Sequence, residues 1–437
     1  MASHERIRVG LLGCGTVGTG VLQIVRDNAA DIEARLGVPI EIVRIAVSDR
    51  SKPRDSVVPE ALLTEDSAEV VGDPEIDVIA EVIGGYEPAR QLLLDALSAG
   101  KHVVTANKAL LARHGAALFR AADAAGRDII FEASVGGGIP VIRTLREGLA
   151  SEHIDTVRAI INGTSNYILS EMSEGAAYDD ALRTAQDLGF AEADPTMDVG
   201  GFDAAQKLSI LISLCWGADI SFEDIPTEGL DRVSRVDMAY AEAFGYTIKP
   251  IATATLHPEG VQACVAPALV ARGDMLSSVH GAFNAVHIES RALGPVMLYG
   301  QGAGRLPTAA AVVSDIVELG RTILRGTSGR LPHMAFHEGL APERPLRAAE
   351  ASCSPFYLRF AVNDEPGVLA ALSGALGARN VSVSRMVQEE TEEPGRVDIV
   401  MLTHEAQEGD VMAAISAIDS QPFVVSASRF LRVAVSA

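Results

Sequence analysis

The densest group of side chains able to do chemistry lies between residues 185 and 207, where five acids precede a single lysine. Lys207 follows Asp203 by four positions at the start of an apolar stretch that ends at Trp216, so a helix there makes the two side chains neighbours. Lost hydration and the positive end of the helix disfavour the charged ammonium, whereas Asp203 favours it. These opposed effects predict a lysine suited to proton transfer. The alternative is an ordinary exposed ion pair at a helix start.

Three further acids, Glu192, Asp194 and Asp198, lie in the loop before this helix, which glycine and proline residues punctuate. Acids grouped beside a candidate proton donor favour a ligand that carries an amino group. The stretch therefore predicts an active site for a small amine-bearing substrate.

A second group is a glycine motif that follows a β-branched run at 8–12 and precedes a helical segment running toward Arg35. Its members include Gly13, Gly15, Thr16, Val17 and Gly18. Glycines at this spacing permit a tight turn, close approach of a diphosphate and close helix–strand packing. Because strand, motif and helix occur in the required order, we predict a dinucleotide site. The alternative is a glycine-rich turn in another α/β fold.

The choice of cofactor depends on the end of the second predicted strand. Asp49 there favours NAD, because an acid binds the ribose 2′-hydroxyl, whereas Arg50 and Lys52 favour the 2′-phosphate of NADP. We favour NADP. The alternative is a solvated turn in which none of the three residues contacts a cofactor.

Two further segments follow predicted strands. Lys108 lies where a strand ends and a helix begins, so it is expected to reach the cofactor crevice and bind cofactor phosphate or a substrate carboxylate. A solvated lysine is the alternative. The glycine-rich segment 132–140 leaves carbonyl groups available for a ligand or a monovalent cation, although its composition also suits a domain hinge.

Composition limits the classes of function. The chain has 437 residues and a net charge of −22, which argues against a nucleic-acid-binding surface because such surfaces need clusters of Lys and Arg. Four scattered cysteines without a CxxC pair indicate reduced, intracellular usage. There is no signal-peptide core and no apolar run of ~18 residues, so we expect a cytoplasmic protein that does not enter membranes.

The order of predicted elements indicates a mainly α/β chain in three parts. Strands at 8–12, 41–47, 78–82, 102–105 and 128–131 alternate with helices, which predicts a parallel Rossmann sheet. Longer helices and then alternating strands after Gly136 predict an α+β domain. After a proline-rich linker, the order strand, helix, strand, strand, helix, strand predicts a separately folded ferredoxin-like sandwich. The predicted bounds are 1–135 (completed by about 301–325), 136–300, linker 326–354 and 355–437.

Together these residues resemble the homoserine dehydrogenase family over essentially the whole chain. The 185–207 stretch matches the family signature with its spaced Gly, Asp-Pro, Asp, Gly, Asp and final Lys. The tail resembles an ACT regulatory module, whose Asp-x-Pro-Gly turn stands at 364–367. No aspartate-kinase region precedes the glycine motif, so the monofunctional form is expected. Further family landmarks are 106–108, 162–166, 302–304 and 307–309.

The resemblance implies a role for each matching residue. Lys207 would exchange a proton with the substrate oxygen, and Asp203 and Asp198 would hold that oxygen or its water, or orient Lys207. The implied ligand sets are Glu192, Asp198, Gly163 and Thr164 for substrate; the motif residues with Arg50, Lys52, Lys108 and Gly302 for cofactor; the backbone carbonyls of Glu132, Val135, Gly137 and Ile139 for sodium; and Asn363, Asp364 and Gly367 for an effector.

The implied reaction is the NAD(P)-dependent interconversion of L-aspartate 4-semialdehyde and L-homoserine, on the route to threonine and methionine. The resemblance also implies inhibition by threonine through the tail, and a homodimer or homotetramer. One rival is an aspartate semialdehyde dehydrogenase, which needs a reactive thiol that Cys14, Cys215, Cys264 and Cys353 are poorly placed to supply. The other is an amino-acid sensor on an inactive Rossmann scaffold, which the intact acids and Lys207 disfavour.

Overall fold

The computed structural model describes residues 5–337, 339–390 and 393–434. The predicted tail, 355–437, includes positions 391, 392 and 435–437, which lie outside the described residues. In the part that is described, every helix is either too short or too polar to cross a membrane.

The N-terminal part is an open parallel sheet with helices against both faces. Its elements are β1 (Ile7–Leu12), α1 (Thr16–Asp27), α2 (Ala29–Leu36), β2 (Ile40–Ala46), β3 (Leu63–Thr64), α3 (Ser67–Gly72), β4 (Val78–Glu81), α4 (Ala89–Ser98), β5 (His102–Thr105), α5 (Lys108–Ala125) and β6 (Ile129–Ile130). The strands pair in the order β3-β2-β1-β4-β5-β6. The chain therefore changes direction between β1 and β4, where ligands of such sheets collect outside the carboxyl ends.

The helical segment predicted from the glycine motif toward Arg35 is present, but it is divided into two helices. Asn28 leaves the helical conformation, with φ −109° and ψ 19°, and separates α1 from α2. Ile32 and Leu36 of α2 pack into the core beneath β1 and β2. The break lets both helices bury an apolar side that one straight helix could not place against the sheet.

The middle part contains a second, antiparallel sheet with helices on one face, as predicted. Its elements are α6 (Val141–Arg143), β7 (Ile154–Ile160), α7 (Gly163–Ser173), α8 (Tyr178–Asp187), α9 (Thr196–Val199), α10 (Phe202–Trp216), α11 (Arg235–Ala243), β8 (Tyr246–His257), β9 (Gly260–Ala271), β10 (Phe283–Ser290) and β11 (Gly294–Gln301). The apolar helix α10 is buried against this sheet, where Leu208 and Leu211 share a core with Val157 and Ala254.

Strand β7 lies in the centre of this sheet, between β10 and β8, yet its sequence gave no strand prediction. The cause is Arg158, which interrupts the apolar pattern. The structure buries Arg158 and pairs its Nη1 with Asp274 Oδ2 at 2.6 Å. A buried arginine with a carboxylate partner is tolerated in a sheet core, whereas hydropathy alone counts it as an exposed position.

Helix α12 (Arg305–Arg325) returns to the Rossmann part and packs against α1. A Cβ added to Gly20 in α1 would lie 2.5 Å from the Arg305 carbonyl oxygen, so the two helices touch through glycine.

The C-terminal part has the predicted strand and helix order with a short additional strand pair. Its elements are β12 (Cys353–Ser354), β13 (Phe356–Asn363), α13 (Val368–Gly377), β14 (Val383–Glu390), β15 (Arg396–Thr403), β16 (Ala406–Gln407), α14 (Glu408–Asp419) and β17 (Arg429–Ala434). However, β17 also pairs in parallel with β9, with Arg432 opposite Ala268. One sheet, ordered β11-β10-β7-β8-β9-β17-β13-β15-β14, therefore runs through both parts; we call it the joint sheet.

The tail has a hydrophobic core of its own, yet it is also joined to the middle part. Besides the β17–β9 pairing, Asp237 of α11 is buried and accepts hydrogen bonds from Tyr357 Oη at 2.9 Å and Arg359 Nε at 2.7 Å. On the other side of the junction, Arg432 Nη1 lies 2.7 Å from Glu228. Backbone pairing and buried ion pairs thus join the tail to the middle part.

Candidate active site

A cleft of about 250 Å³ lies at the carboxyl ends of β1, β4 and β5. Its border includes residues from the glycine motif, the Lys108 segment, the 132–140 segment, the 185–207 stretch and the 302–304 landmark, namely Val17, Lys108, Gly137, Lys207 and Gly302. A larger cavity of about 720 Å³ lies where strands β7, β8 and β9 meet residues 347–354 and the tail, away from these residues. The cleft is therefore where cofactor and substrate groups can meet.

The glycine motif has the geometry of a diphosphate-binding turn. Gly13 has φ +98°, and a Cβ on it would lie 2.9 Å from the Val82 carbonyl oxygen. Gly15 has open space where a Cβ would stand, while a Cβ on Gly18 would lie 2.4 Å from the Gly13 oxygen. No side chain caps the start of α1, and its first turn carries no acid. Its N–H groups can therefore donate hydrogen bonds to an anion, and the residues fit a dinucleotide.

Asp49, Arg50 and Lys52 lie on the exposed turn after β2. The structure adds Arg54, which is half-buried and donates hydrogen bonds to the backbone oxygens of Asp49, Arg50 and Lys52. Burial raises the pKa of the Cys14 thiol, and the nearby Arg54 charge opposes that shift. Arg54 thus stabilises the turn and places its positive charge near the glycine motif. The signal in the sequence was a third basic residue in the segment 50–54.

A buried acid that sequence reasoning missed fixes one wall of the cleft. Glu81, fully buried at the end of β4, accepts hydrogen bonds from the backbone N–H groups of Ile83 and Gly84 at 2.8 and 3.0 Å. Its other oxygen accepts the Thr105 hydroxyl at 2.6 Å. An acid that ends a buried strand was the available signal, because a buried carboxylate must be hydrogen-bonded.

The predicted Asp203–Lys207 pair is present at the start of α10 and is buried, which excludes the exposed ion pair. Lys207 is 9% exposed, and its Nζ lies 2.7 Å from both Asp203 Oδ2 and the Ile161 carbonyl oxygen. Burial lowers the pKa of Lys207, and the Lys108 charge adds to this, while Asp203 opposes it. The residue is therefore an ammonium that releases its proton more readily than a solvated lysine.

Lys108, predicted as a cofactor ligand, lies beside the same acid. Its Nζ is 2.9 Å from Asp203 Oδ1. Attraction to Asp203 raises the pKa of Lys108, against the effect of its partial burial. Burial disfavours the charged Asp203 carboxylate, yet the two ammonium groups prevail and the pKa of Asp203 falls well below its ordinary value. One carboxylate thus holds two lysines from different domains.

The remaining loop acids differ in their surroundings. Asp198 is half-buried, and burial raises its pKa while a hydrogen bond from Asn162 lowers it. Glu192 is exposed at the rim, and its charge is one of those that raise the pKa of Lys108. Asp194 is exposed and hydrogen-bonds to Thr196 in its own turn. The structure therefore brings Asp198 and Glu192 toward the lysines and leaves Asp194 outside.

Gly163 and Thr164 begin α7 beside these acids. A Cβ on Gly163 would lie 2.8 Å from the Ala282 carbonyl oxygen, so no side chain fits there. The Thr164 hydroxyl donates to the Phe190 carbonyl oxygen at 2.7 Å. These contacts hold the loop with Glu192 against α7.

Asn162, the N-cap of α7, touches both inner acids. Its Nδ2 lies 2.7 Å from Asp198 Oδ1 and 2.8 Å from Asp203 Oδ2, while its Oδ1 accepts the Ser165 N–H at 2.8 Å. The sequence showed this residue only as a family landmark without a role. Its partners are far away in the chain, so no local pattern could have revealed the contact.

The glycine-rich segment at 132–140 closes the cleft against the start of α12. Gly137 has φ +57°, and a Cβ on it would lie 2.3 Å from the Gly302 carbonyl oxygen. The Glu132 carboxylate is occupied by the N–H groups of Ile142 and Arg143. Ile139 accepts the Val141 N–H at 2.8 Å through the carbonyl predicted to bind sodium. Within the described residues, no cluster of His, Cys, Asp and Glu could hold a metal ion.

The cysteines do not supply a thiol nucleophile at this site. Cys215 and Cys264 have raised pKa values because they are buried, which keeps them protonated. Among the described residues that border the cleft there is no cysteine. This geometry disfavours the aspartate semialdehyde dehydrogenase alternative.

An uncapped glycine turn in a Rossmann sheet that faces a buried lysine–carboxylate pair across one cleft defines a nicotinamide-dependent oxidoreductase. Comparisons with known proteins agree with this class. Residues 13–132 match the family model for the homoserine dehydrogenase NAD-binding domain, 140–317 the homoserine dehydrogenase model and 356–420 the ACT domain model. The chain belongs to the homoserine dehydrogenase family, whose members are oxidoreductases acting on a CH–OH group.

Individual relatives match nearly the full length. The chain is 42% identical over 416 residues to the homoserine dehydrogenase of Pseudomonas aeruginosa, covering 95% of each chain. The crystal structure of a homoserine dehydrogenase from Thiobacillus denitrificans covers 98% of both chains, with 44% identity and a TM-score of 0.93. A hyperthermophilic archaeal homoserine dehydrogenase in complex with NADPH, 27% identical with a TM-score of 0.60, covers 72% of this chain and 97% of its own.

Proposed function

We propose that this protein catalyses the reversible NAD(P)-dependent reduction of L-aspartate 4-semialdehyde to L-homoserine, as a step toward threonine and methionine. The observation that carries the proposal is the buried Lys207, which borders the cleft. Asp203 and Ile161 each accept one hydrogen bond from its ammonium. An ammonium has three N–H donors, so the third is the one to meet a substrate oxygen in the cleft.

When bound, the nicotinamide ring supplies or accepts the hydride. In the reduction, the aldehyde carbon gains that hydride, the C–O π bond breaks, and Lys207 gives a proton to the oxygen as its negative charge develops. Lys207 is left as a neutral amine, and in the oxidation it takes the hydroxyl proton back. Its lowered pKa supports this role, because the ammonium gives up its proton more readily than that of a solvated lysine.

The other polar groups bind the substrate. Asp203 holds Lys207 in place through an ion pair, and Asp198 provides a second carboxylate near the two lysines. Glu192 at the rim would take the substrate ammonium, and Lys108 the substrate carboxylate. Of the two ligands expected for Lys108, its 2.9 Å contact with Asp203 supports the substrate carboxylate over the cofactor phosphate.

For the cofactor we propose NADP. Three basic residues, Arg50, Lys52 and Arg54, lie on or beneath the turn after β2, and Asp49 Oδ1 already accepts the Ser51 N–H and hydroxyl. A carboxylate engaged in its own turn is less available to a ribose 2′-hydroxyl. The archaeal relative in complex with NADPH gives further support.

We also propose a structural sodium ion on the backbone carbonyls of Glu132, Val135, Gly137 and Ile139. A carbonyl has two lone pairs, so Ile139 can serve Val141 and a cation together. For regulation we propose that threonine binds at the β13–α13 turn with Asn363, Asp364 and Gly367. Gly367, with φ +98°, is the N-cap residue of α13 and has no side chain to cap the helix. The first N–H groups of α13 are therefore available to the carboxylate of an amino-acid effector. The cytoplasmic location and the oligomeric state remain predictions.

The test is a spectrophotometric assay of homoserine oxidation by the purified full-length chain, run with NAD and with NADP and repeated with and without threonine. We expect homoserine-dependent formation of the reduced cofactor, faster with NADP. A protein that binds the cofactor tightly but never oxidises homoserine would contradict the proposal and favour the amino-acid sensor.

A further inference from the structure

We propose that Asn162 is a positioning residue that holds Asp198 and Asp203 side by side and thereby aims Lys207 at the substrate oxygen. The inference rests on the function proposed above and adds to it a residue with no assigned role. Asn162 is 6% exposed, and its amide nitrogen is within 2.8 Å of one oxygen of each acid. An amide NH₂ has two hydrogens, so each carboxylate receives one.

The orientation of the amide is fixed by the helix it caps. Its Oδ1 accepts the Ser165 N–H at 2.8 Å, which is an N-cap bond of α7. The opposite orientation would lose this cap and turn the oxygen toward two carboxylates. Both contacts therefore require the same rotamer, and the helix start determines where the acids lie.

Consecutive residues bind both members of the catalytic pair. The Ile161 carbonyl accepts the Lys207 ammonium at 2.7 Å, and the next residue, Asn162, donates to the Asp203 carboxylate. Asp203 Oδ2 is shared by Asn162 and Lys207. The chain just beyond β7 thus sets the separation of ammonium and carboxylate, and with it the direction of the third Lys207 N–H.

The two hydrogen bonds from the Asn162 amide also affect the protonation of Asp198 and Asp203. The charged groups that face Asp198, which lies on α9, are Asp203 and Lys207 of α10 and Lys108 of α5. Burial and Asp203 raise the pKa of Asp198, whereas Asn162 and the two lysines lower it. Two neighbouring carboxylates tend to share a proton. A neutral donor between them allows both to stay charged, and so keeps the attraction that holds Lys207 in place.

Two variants separate the hydrogen bonds from Asn162 to the two acids from its N-cap hydrogen bond to α7. Asn162→Asp keeps an acceptor for the Ser165 N–H but cannot donate to the acids, and it adds a negative charge. Asn162→Ser keeps a favourable N-cap residue without added charge, but its hydroxyl is too short to reach both acids. Ser165→Ala serves as the control, because it removes the 2.9 Å hydroxyl bond to the Asp198 carbonyl and leaves the carboxylates untouched.

We expect Asn162→Ser to fold with a melting temperature close to that of the unaltered protein, and Asn162→Asp to melt at a lower temperature because it places a third carboxylate beside Asp198 and Asp203. Their kcat for homoserine oxidation should fall on the order of 10²-fold, with the NADP Kd unchanged. Oxidation requires neutral Lys207 and charged Asp198, and losing the donor raises the pKa of Asp198. The acidic limb of kcat/KM should therefore move up by about one pH unit, and further in Asn162→Asp, where the new charge also raises the pKa of Lys207.

A second readout does not depend on turnover. Carboxyl ¹³C NMR titration of Asp-labelled full-length protein, with Asp198→Asn for assignment, should show Asp198 titrating at higher pH in Asn162→Ser. Unmoved titration and an unmoved pH limb, with only a proportional loss of kcat, would make Asn162 a simple helix cap and overturn the proposal. If the unaltered protein does not oxidise homoserine, the proposed function fails, while the titration still decides the role of Asn162.

Discussion

Lys108 and Asp203 lie 2.9 Å apart, although they begin helices in two different parts of the fold. Lys108 starts α5 at the edge of the Rossmann sheet, and Asp203 stands in the first turn of α10 beneath the joint sheet. The same carboxylate also holds Lys207. An ion pair between the cofactor-binding part and the substrate-binding part therefore closes the candidate active site.

Replacing the proposed proton donor should abolish turnover. We expect Lys207→Ala to lower kcat on the order of 10³-fold while the NADP Kd changes little, because the side chain acts on the substrate oxygen. Steady-state kinetics and fluorescence titration of the cofactor measure the two effects. Lys101→Met is a matched control, since Lys101 is also a buried lysine but binds the Asp73 and Ile76 carbonyls away from the cleft. Near-normal turnover in Lys207→Ala would rule out the assignment.

Removing the charge of Asp203 should move the pH profile in a known direction. Asp203 raises the pKa of Lys207, so Asp203→Asn should lower that pKa further. Homoserine oxidation needs the neutral amine, and its acidic limb should then shift to lower pH, opposite to the shift expected for Asn162→Asp. We also expect kcat to fall on the order of 10²-fold. A pH–rate profile of kcat measures both effects, and a shift to higher pH would contradict the model.

Cofactor preference should depend on the basic residues after β2. We expect Arg54→Gln, and the double variant with Arg50→Gln and Lys52→Gln, to raise the KM for NADP by about tenfold, the usual effect of losing a charged hydrogen bond. The KM for NAD should change much less. Arg35→Gln on α2 is the exposed control. An equal change for both cofactors would place these residues outside the 2′-phosphate site.

The junction between α11 and the tail should be sensitive to loss of Arg359. Burial disfavours the charged Asp237 carboxylate, yet Arg359 prevails and the pKa of Asp237 is lowered. The ionised Asp237 therefore adds to the free energy of unfolding at pH values above the ordinary carboxyl pKa. This contribution is lost as the pH falls through the lowered pKa of the folded state. Arg359→Met should lower the free energy of unfolding by about 3 kcal/mol at neutral pH, because Asp237 stays buried.

Urea unfolding measures this change. Arg272→Met is the control, because Arg272, in the turn after β9, makes an exposed ion pair with Glu242 of α11 that should contribute within about 1 kcal/mol. Equal losses in the two variants would show that burial of Asp237 has no special effect.

Threonine inhibition should depend on the β13–α13 turn. We expect Asp364→Asn to raise the threonine concentration for half-inhibition by about tenfold, because an amide cannot pair with the effector ammonium as a carboxylate does. Inhibition curves at fixed homoserine measure the effect. Glu405→Gln, an exposed change elsewhere on the tail, should leave the curve unchanged. Inhibition that persists unaltered in Asp364→Asn would move the effector site away from this turn.

Local relationships were predictable from the sequence, and contacts between distant segments were not. The spacing of Asp203 and Lys207 defines a helical pair, and the glycine motif defines its turn, because both depend on neighbouring residues. Asn162, Arg54 and the Lys108–Asp203 contact depend on how separate elements are brought together. Strand β7 was missed because a buried arginine disrupts its pattern, and the joint sheet because pairing between β9 and β17 leaves no mark in either strand.

The pairing of β17 with β9 also limits how this chain can be shortened. A shortened chain that ended before the tail would expose backbone N–H and C=O groups along β9. Because β9 is an apolar strand, its exposed edge would be a template for edge-to-edge aggregation. It would also leave Glu228 without Arg432. A stable truncated chain would therefore need a protected edge, such as a charged residue between Ala268 and Val270 where β17 pairs, so the tail also covers one edge of the substrate-binding sheet.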